Sequence, residues 1–334
     1  MSLPSTIIIK LGKFVWTTMW HQMMSQLAPR SESGAYIRPE SEFRHDINDQ
    51  PENPYKPESG RYALYVGIGC PWAHRTLVVR ALKGLESVIS LVWVRGEATE
   101  GGWMLETPQE GCRSLKDVYQ LSQPGYEGRA TVPVLWDKQT QTVVNNESAD
   151  IIEILNREFN QWAQQPDLDL YSTSQKEQID SLNERIYHTV NNGVYRCGFA
   201  QTQSAYEQAC NELFLTLDDL EKRLTHHRYL CGETITLADV RLFTTLFRFD
   251  AVYYGLFKCN QRRIRDYQNL YGYLQDIYQL PGVSSTCDLE KVKQDYYSNL
   301  FPLNPGGIVP SGPDQQDLLL PHNREKITLS TVKE

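Results

Sequence analysis

The sequence predicts an α/β domain followed by an all-α domain. Two observations carry this. Residues 61–94 read strand, helix, strand, the order of a parallel β–α–β unit. The second half holds long helical stretches over about 174–192, 204–225, 237–254 and 263–279, with no strand pattern between them.

The elements follow in order. Residues 3–27 are fairly apolar, with Ile7-Ile8-Ile9 and Phe14-Val15-Trp16, but Lys10, Lys13, His21 and other polar residues interrupt them. A membrane span needs roughly 20 nearly uncharged residues, and no clean apolar core leads to a small-residue cleavage site. The expectation is an N-terminal extension packed on the body. Residues 30–60 are polar and proline-rich, with Arg38-Pro, Gln50-Pro, Asn53-Pro and Lys56-Pro, and read as a long surface loop.

From residue 61 the pattern tightens. Residues 61–66 form a strand and 72–84 a helix ending near Gly84. Val88-Ile-Ser-Leu-Val-Trp-Val94 forms a second strand. Residues 95–128 read as irregular, with Gly101-Gly102-Trp103 and several polar turns. Thr131-Val-Pro-Val-Leu-Trp136 is a strand whose proline suits a strand start or a cis bond. Residues 141–145 make a short antiparallel partner, and Glu147-Ser148 opens a helix over 149–159. Asn160–Tyr171 is a polar linker. In the second half, Thr236-Leu-Ala-Asp239 matches a capping box with Asp for Glu. From about 300 the chain is loop-like, with Asn304-Pro-Gly-Gly and Val309-Pro-Ser-Gly-Pro. The expected division is 1–60 extension and loop, 61–160 the α/β domain, 172–315 the helical domain, and 316–334 a tail.

Composition narrows the function. The 334 residues suffice for two domains, and 40% hydrophobic with 22% charged content is that of a globular protein. A net charge of −8 argues against nucleic acid or an anionic membrane as the main partner. The seven cysteines, at 70, 112, 197, 210, 231, 259 and 287, show neither a Cys-x-x-Cys pair nor a Cys/His zinc spacing. No metal is therefore expected, and a reducing, cytoplasmic setting is the simplest reading.

One cysteine stands out. Cys70 follows an apolar strand ending in Gly67-Ile-Gly69 and precedes Pro71, which suits the first turn of a helix. At a helix N-terminus, unpaired N–H groups and the dipole favour an anion, so this thiol is expected to ionise more easily than a free one. Ala73 occupies the place of the second cysteine of a redox pair, so the partner thiol must come from elsewhere.

The whole pattern resembles a glutathione transferase, with a thioredoxin-like first half and the helical second half of that fold. It is most similar to the glutathionyl-hydroquinone reductases, or Xi class. The residues that carry this are Cys70-Pro-Trp-Ala-His-Arg75, Gly102-Trp103, Gly128-Arg-Ala-Thr-Val-Pro-Val-Leu-Trp-Asp137, Asn146-Glu-Ser148, Asn191-Asn-Gly-Val-Tyr-Arg-Cys-Gly-Phe-Ala200 and Asn304-Pro-Gly-Gly-Ile-Val-Pro310. The likeness spans roughly 40–315. One departure is Asp295-Tyr296-Tyr297, where the family usually carries His-Tyr-Tyr.

The resemblance implies roles. Cys70 would be the nucleophile. The backbone of Val132, before a cis Pro133, would pair with glutathione. Ser148 and Glu147 would take its γ-glutamyl group, and Trp103 and Arg129 would line the same site. Tyr195 and Tyr296, with Tyr297 as the fallback for the latter, would hold a quinol and help protonate it. The implied reaction is glutathione-dependent reduction of S-glutathionyl-hydroquinones by a homodimer. The alternatives are an Omega-like thioltransferase or dehydroascorbate reductase, and a non-catalytic protein that reuses the fold.

Overall fold

In the computed structural model, residues 5–97 and 102–327 are described. Expectations that fall on residues 1–4, on 98–101 (Gly101 among them) and on 328–334 lie outside them.

The sheet is built around β1 (Tyr62–Gly67), whose six residues are all buried. A strand covered on both faces has no polar alternation, which is why 61–66 reads as a continuous apolar run. The helix α2 (Pro71–Lys83) follows and stops at Gly84, which takes φ 65° and accepts the left-handed cap that a side chain would resist. β2 (Ser90–Glu97) then pairs parallel to β1, with Tyr65 opposite Val92.

The segment expected to be irregular is partly ordered. β3 (Gly102–Gln109) and β4 (Cys112–Ser114) extend the sheet antiparallel from β2, and α3 (Leu115–Ser122) follows. β3 mostly faces solvent and holds Pro108, so it lacks the apolar alternation of a half-buried strand. α3 does carry a local signal. Ser114 and Asp117 form a full capping box, and Leu115, Val118 and Tyr119 share a buried face.

β5 (Val134–Asp137) pairs antiparallel with β1, and β6 (Thr142–Asn145) with β5. The Val132–Pro133 bond is cis and immediately precedes β5. The sheet order is β4-β3-β2-β1-β5-β6. Its β1–α2–β2 and β5–β6–α4 halves make the thioredoxin-like arrangement, with the β3–β4 hairpin added at one edge. α4 (Ser148–Arg157) packs on α2.

The second half is helical. It comprises α5 (Lys176–Ile186), α6 (Gly193–Gly198), α7 (Gln203–Arg223), α8 (Leu237–Arg248), α9 (Gln268–Tyr278) and α10 (Leu289–Asn299). Wider π turns extend α5 through Asn191 and α8 through Tyr253. α8 is buried nearly all round and packs against α2. Each large apolar side chain removed from water there contributes about 1.5–3 kcal/mol. Its capping box, Thr236 with Asp239, is the one the sequence marks. α10 lies beyond the helices expected from the sequence, and it carries Tyr296.

One terminal expectation changes. α1 (Ser5–Leu27) is a helix, but Ile7 through Met19 are largely exposed; among the described side chains Trp20 packs against the core and Met24 is buried. No helix among the described residues is long and apolar enough to cross a membrane. Residues 30–60 are irregular and mostly at the surface, as expected, but they are tied to the body. Arg44 bridges to Asn145, the Phe43 N–H donates to Asn146 Oδ1, and Ile47 is buried. The C-terminal stretch wraps the helices: buried Arg324 donates to the carbonyls of Leu224, His227 and Arg228.

Candidate active site

Cys70 is the N-cap of α2. Its sulfur accepts the Ala73 N–H at 3.5 Å, and its thiol lies 3.5 Å from the Val132 carbonyl that it can donate to. Both glycines before it are required by close neighbours. A Cβ on Gly67 would lie 2.4 Å from the Trp103 ring, and one on Gly69 would lie 1.7 Å from an Asp295 carboxylate oxygen.

The structure corrects one expectation about this thiol. Burial pushes the Cys70 pKa up, more than the Ala73 N–H, Arg38, Arg248 and the Trp72 N–H bring it down. The helix N-terminus acts as expected, but removal from water opposes it and is larger.

Beside Cys70 lies a cleft of about 100 Å³ whose wall includes Trp72, Arg129, Val132, Pro133, Glu147 and Ser148. Five of the expected glutathione-site residues thus come together. Glu147, not Ser148, is the N-cap of α4, and its Oε1 accepts the Ala149 N–H at 3.0 Å. Ser148 is the first helical residue. Its hydroxyl lies 3.4 Å from Glu147 Oε1 and receives a hydrogen bond from Arg75 at 3.3 Å. Trp103 is not among the residues lining this cleft; its ring rests on Gly67.

Three residues carry no mark of their role in the sequence. Arg75 is buried, stands 4.4 Å over the Trp72 ring, and donates to Asn191 Oδ1 at 2.7 Å. It ties α2, α4 and the π turn together. Arg38 covers the same ring at 4.0 Å, and Ser41 donates to Glu147 Oε2 at 2.9 Å. Segment 36–42 is therefore a strap along the cleft. Neither periodicity nor a motif marks it; only Pro39 is legible.

The tyrosines form a second group. Tyr195 stacks on Trp72 with centroids 6.4 Å apart. Its hydroxyl meets that of Tyr296 at 2.6 Å, and Tyr296 meets Tyr253 at 3.0 Å. Burial holds all three phenols above their ordinary pKa, so they are protonated at neutral pH. Tyr253 is an addition to the expected set. Tyr297 stands apart from this cluster, with its hydroxyl 3.4 Å from the Ala251 carbonyl. The other six cysteines are buried. A larger hollow of about 740 Å³ between β2 and α10 reaches Ile68 and Asp295 but not Cys70, Tyr195 or Tyr296.

A thiol at a helix start, a cleft ending on a helix N-terminus, and a set of phenols behind the thiol can together bind a thiol peptide and exchange its sulfur. Similarity to known proteins gives the family. The glutathione S-transferase N-terminal domain family matches residues 69–158 and the C-terminal domain family residues 203–276. The chain is 44% identical over 308 residues, covering 90% of it and 95% of the relative, to glutathionyl-hydroquinone reductase PcpF of Sphingobium chlorophenolicum. It is also similar to the Xi glutathione S-transferase of Phanerochaete chrysosporium, at 44% identity and a TM-score of 0.82, covering 87% of this chain and 96% of that one. The glutathione-bound structure of YqjG from Escherichia coli K-12 matches at 44% identity and a TM-score of 0.80, covering 85% and 96%. The chain belongs to the glutathione transferase family, in the Xi class that includes the glutathionyl-hydroquinone reductases.

Proposed function

We propose that this protein reduces S-glutathionyl-hydroquinones to hydroquinones with glutathione as the reductant. The observation that carries the reading is the placement of Cys70: a single thiol on an N-terminal helix cap, adjoining a cleft that Val132, Pro133, Glu147 and Ser148 line. In the first step the Cys70 thiolate attacks the glutathione sulfur of the conjugate. An S–S bond forms and the S–C bond breaks. The electron pair leaves with the ring carbon, which takes a proton. The protonated hydroxyls of Tyr195 and Tyr296 are the candidate donors. In the second step a glutathione thiolate attacks the glutathione sulfur of the mixed disulfide. Oxidised glutathione leaves, and Cys70 regains its negative charge. Ala73 leaves no resolving thiol in the motif, which suits a second step by free glutathione.

Within this reading, Glu147 accepts the γ-glutamyl ammonium, Ser148 and the α4 N-terminus take its carboxylate, and Arg129 pairs with a glutathione carboxylate. Trp103 and Tyr297 keep a supporting part, Trp103 through Gly67 and Tyr297 through the turn that carries Tyr253. A cytoplasmic homodimer, with the glutathione domain over 61–160 and the helical domain over 172–315, belongs to the same proposal. The seven free thiols suit a reducing compartment.

The test is a reaction of stoichiometric protein with a glutathionylated hydroquinone, read by mass spectrometry. A glutathione adduct on Cys70 together with free hydroquinone is expected. Turnover by Cys70→Ser equal to that of the parent overturns the mechanism.

A further inference from the structure

Arg248, at the last turn of α8, is fully buried. Its Nη2 donates to the Ile68 carbonyl at 2.7 Å and its Nε to the Gly69 carbonyl at 3.1 Å. Nη1 serves the Thr244 carbonyl and His74 Nδ1, each at 2.9 Å. Two of these acceptors belong to the two residues immediately before Cys70. The helical half thus fixes the turn that delivers the thiol to α2.

The charge of this guanidinium is the second observation. Buried Arg61 has a carboxylate partner, Asp137, at 2.6 Å. Arg248 has none within 4.0 Å among the described residues. A buried cation without an anion is costly. His74 cannot share the charge or offset it. Burial, and then Arg248 itself, holds its pKa well below the ordinary value, so it stays neutral. As an acceptor at Nδ1 it carries its proton on Nε2, which faces Thr286 Oγ1 at 2.9 Å.

The groups around the turn are otherwise weak acids. Cys70 caps α2, Asp295 of α10 lies against Gly69, Cys287 lies against His74, and Tyr253 of the α8 extension and Tyr195 of α6 act on the thiol, each bonded to Tyr296 of α10. Arg38 of the strap is the other cation acting on Cys70. Of the stronger acids near Arg248, the Asp295 carboxyl is raised by burial and is held by Asn299 and the Gly96 N–H, and burial pushes the Cys287 thiol up to about 12. The Cys70 sulfur faces a helix N-terminus.

We propose that Arg248 is a positioning residue for Cys70: it clamps the preceding turn through the Ile68 and Gly69 carbonyls and supplies the buried positive charge that balances the sulfur when it is negative. The inference rests on Cys70 being the nucleophile. It bears on both steps. The attacking form of Cys70 and the form released when oxidised glutathione leaves are both anionic, and a stabilised thiolate is the better leaving group.

The experiment uses the full chain with Arg248→Gln, which keeps a donor and loses the charge, and Arg248→Lys, which keeps the charge and loses the fork. Alkylation of Cys70 by iodoacetamide is followed across pH by peptide mass spectrometry, beside steady-state turnover. Arg248→Gln is expected to raise the midpoint for Cys70 by about one pH unit, so that its rate below the midpoint falls about tenfold. Arg248→Lys is expected to keep the parental midpoint while turnover falls about tenfold, since the turn loses one of its two anchors. An unchanged midpoint in Arg248→Gln overturns the proposal, as does an equal shift in both variants. Where Arg248→Gln shows no cooperative thermal transition, Arg248→Lys decides alone. A shifted midpoint, or parental turnover, overturns the proposal. Cys70→Ser separates the two readings. If it retains turnover, the nucleophile assignment fails. If it is inactive while Arg248→Gln titrates like the parent, only the role of Arg248 fails.

Discussion

The Tyr195 hydroxyl lies 2.6 Å from the Tyr296 hydroxyl, which joins α6 to α10 across 101 residues of sequence. Tyr253 closes the chain of phenols at 3.0 Å, and burial keeps all three protonated. A relay of this kind can lose one hydroxyl and still pass a proton, but not without loss. Phenylalanine at Tyr195 or at Tyr296 is expected to lower kcat by about 10²-fold, as for loss of a general acid. Formation of the Cys70 adduct would slow, while reduction of a preformed Cys70 mixed disulfide by glutathione would stay at the parental rate. Single-turnover mass spectrometry reads the two steps separately. Equal slowing of both would show that the phenols support the site rather than protonate the leaving carbon.

Glu147 makes a second prediction. Its carboxylate caps α4 through the Ala149 N–H and is bonded by the strap through Ser41. Glu147→Gln keeps an acceptor for the cap but loses the charge. A hydrogen bond to a charged group is worth about 1.5–3 kcal/mol, so glutathione should bind about tenfold or more weakly with little change in Tm. Ser41→Ala removes only the strap contact. It should alter glutathione affinity by less than Glu147→Gln does. Calorimetric titration with glutathione gives both numbers, and equal losses would mean that the strap, not the Glu147 charge, holds the ligand.

The pair of Arg61 and Asp137 sets an acid limit on stability. Arg61 Nε and Nη2 donate to the two carboxylate oxygens at 2.9 and 2.6 Å, and Thr140 and the Gln139 N–H donate as well. Burial alone would raise the Asp137 pKa, but these donors together hold it below the ordinary value of 3.8. The folded state therefore favours the ionised form. The stabilisation is fully present above the unfolded value and is lost as pH falls through the folded one. Asp137→Asn should cost about 3–5 kcal/mol at neutral pH, as for one partner of a buried pair. Its deficit relative to the parent should shrink below about pH 4. Thermal melts across pH check this, and a deficit constant down to the acid limit would remove the pair as its cause.

Much of the fold is legible in the sequence itself, and of the candidate site its helix starts and its proline are, while the roles of Val132, Trp103, Arg129, Tyr195 and Tyr296 come only from the resemblance. β1 and α2 show in the apolar run, the Gly-x-Gly end and Pro71, because a buried strand and a helix start leave local marks. Val132-Pro133 and Glu147-Ser148 are legible for the same reason. The strap is not, because its meaning lies in contacts with residues about 100 positions away, such as Ser41 with Glu147. Arg248 is not marked in the sequence either: it falls inside the helix expected over 237–254, with nothing local to set it apart. Only the fold reveals that it is buried against the Cys70 turn. The ionisation of Cys70 departs from expectation for a related reason: a helix N-terminus leaves a mark in the sequence, but the depth of burial that opposes it does not.

The meeting of Gly69 and Asp295 is the most exacting contact at the site. A Cβ at residue 69 would fall 1.7 Å from the carboxylate of Asp295, which also lies 2.8 Å from the place of a Cβ on Gly96. Neither β2 nor the Cys70 turn can move far, since Arg248 holds one and the sheet the other. Gly69→Ala should therefore cost about 1–3 kcal/mol, the range for overpacking a core, and should shift Cys70 enough to slow its alkylation. Asp295→Ala removes the obstructing carboxylate. In the Gly69→Ala, Asp295→Ala double variant most of that loss should return, leaving a coupling energy of about 1 kcal/mol or more in the cycle. Denaturant titration of the four proteins measures it. Additive losses would mean that the glycine is required by the backbone path into Cys70, and not by the carboxylate that now stands where this family usually carries a histidine.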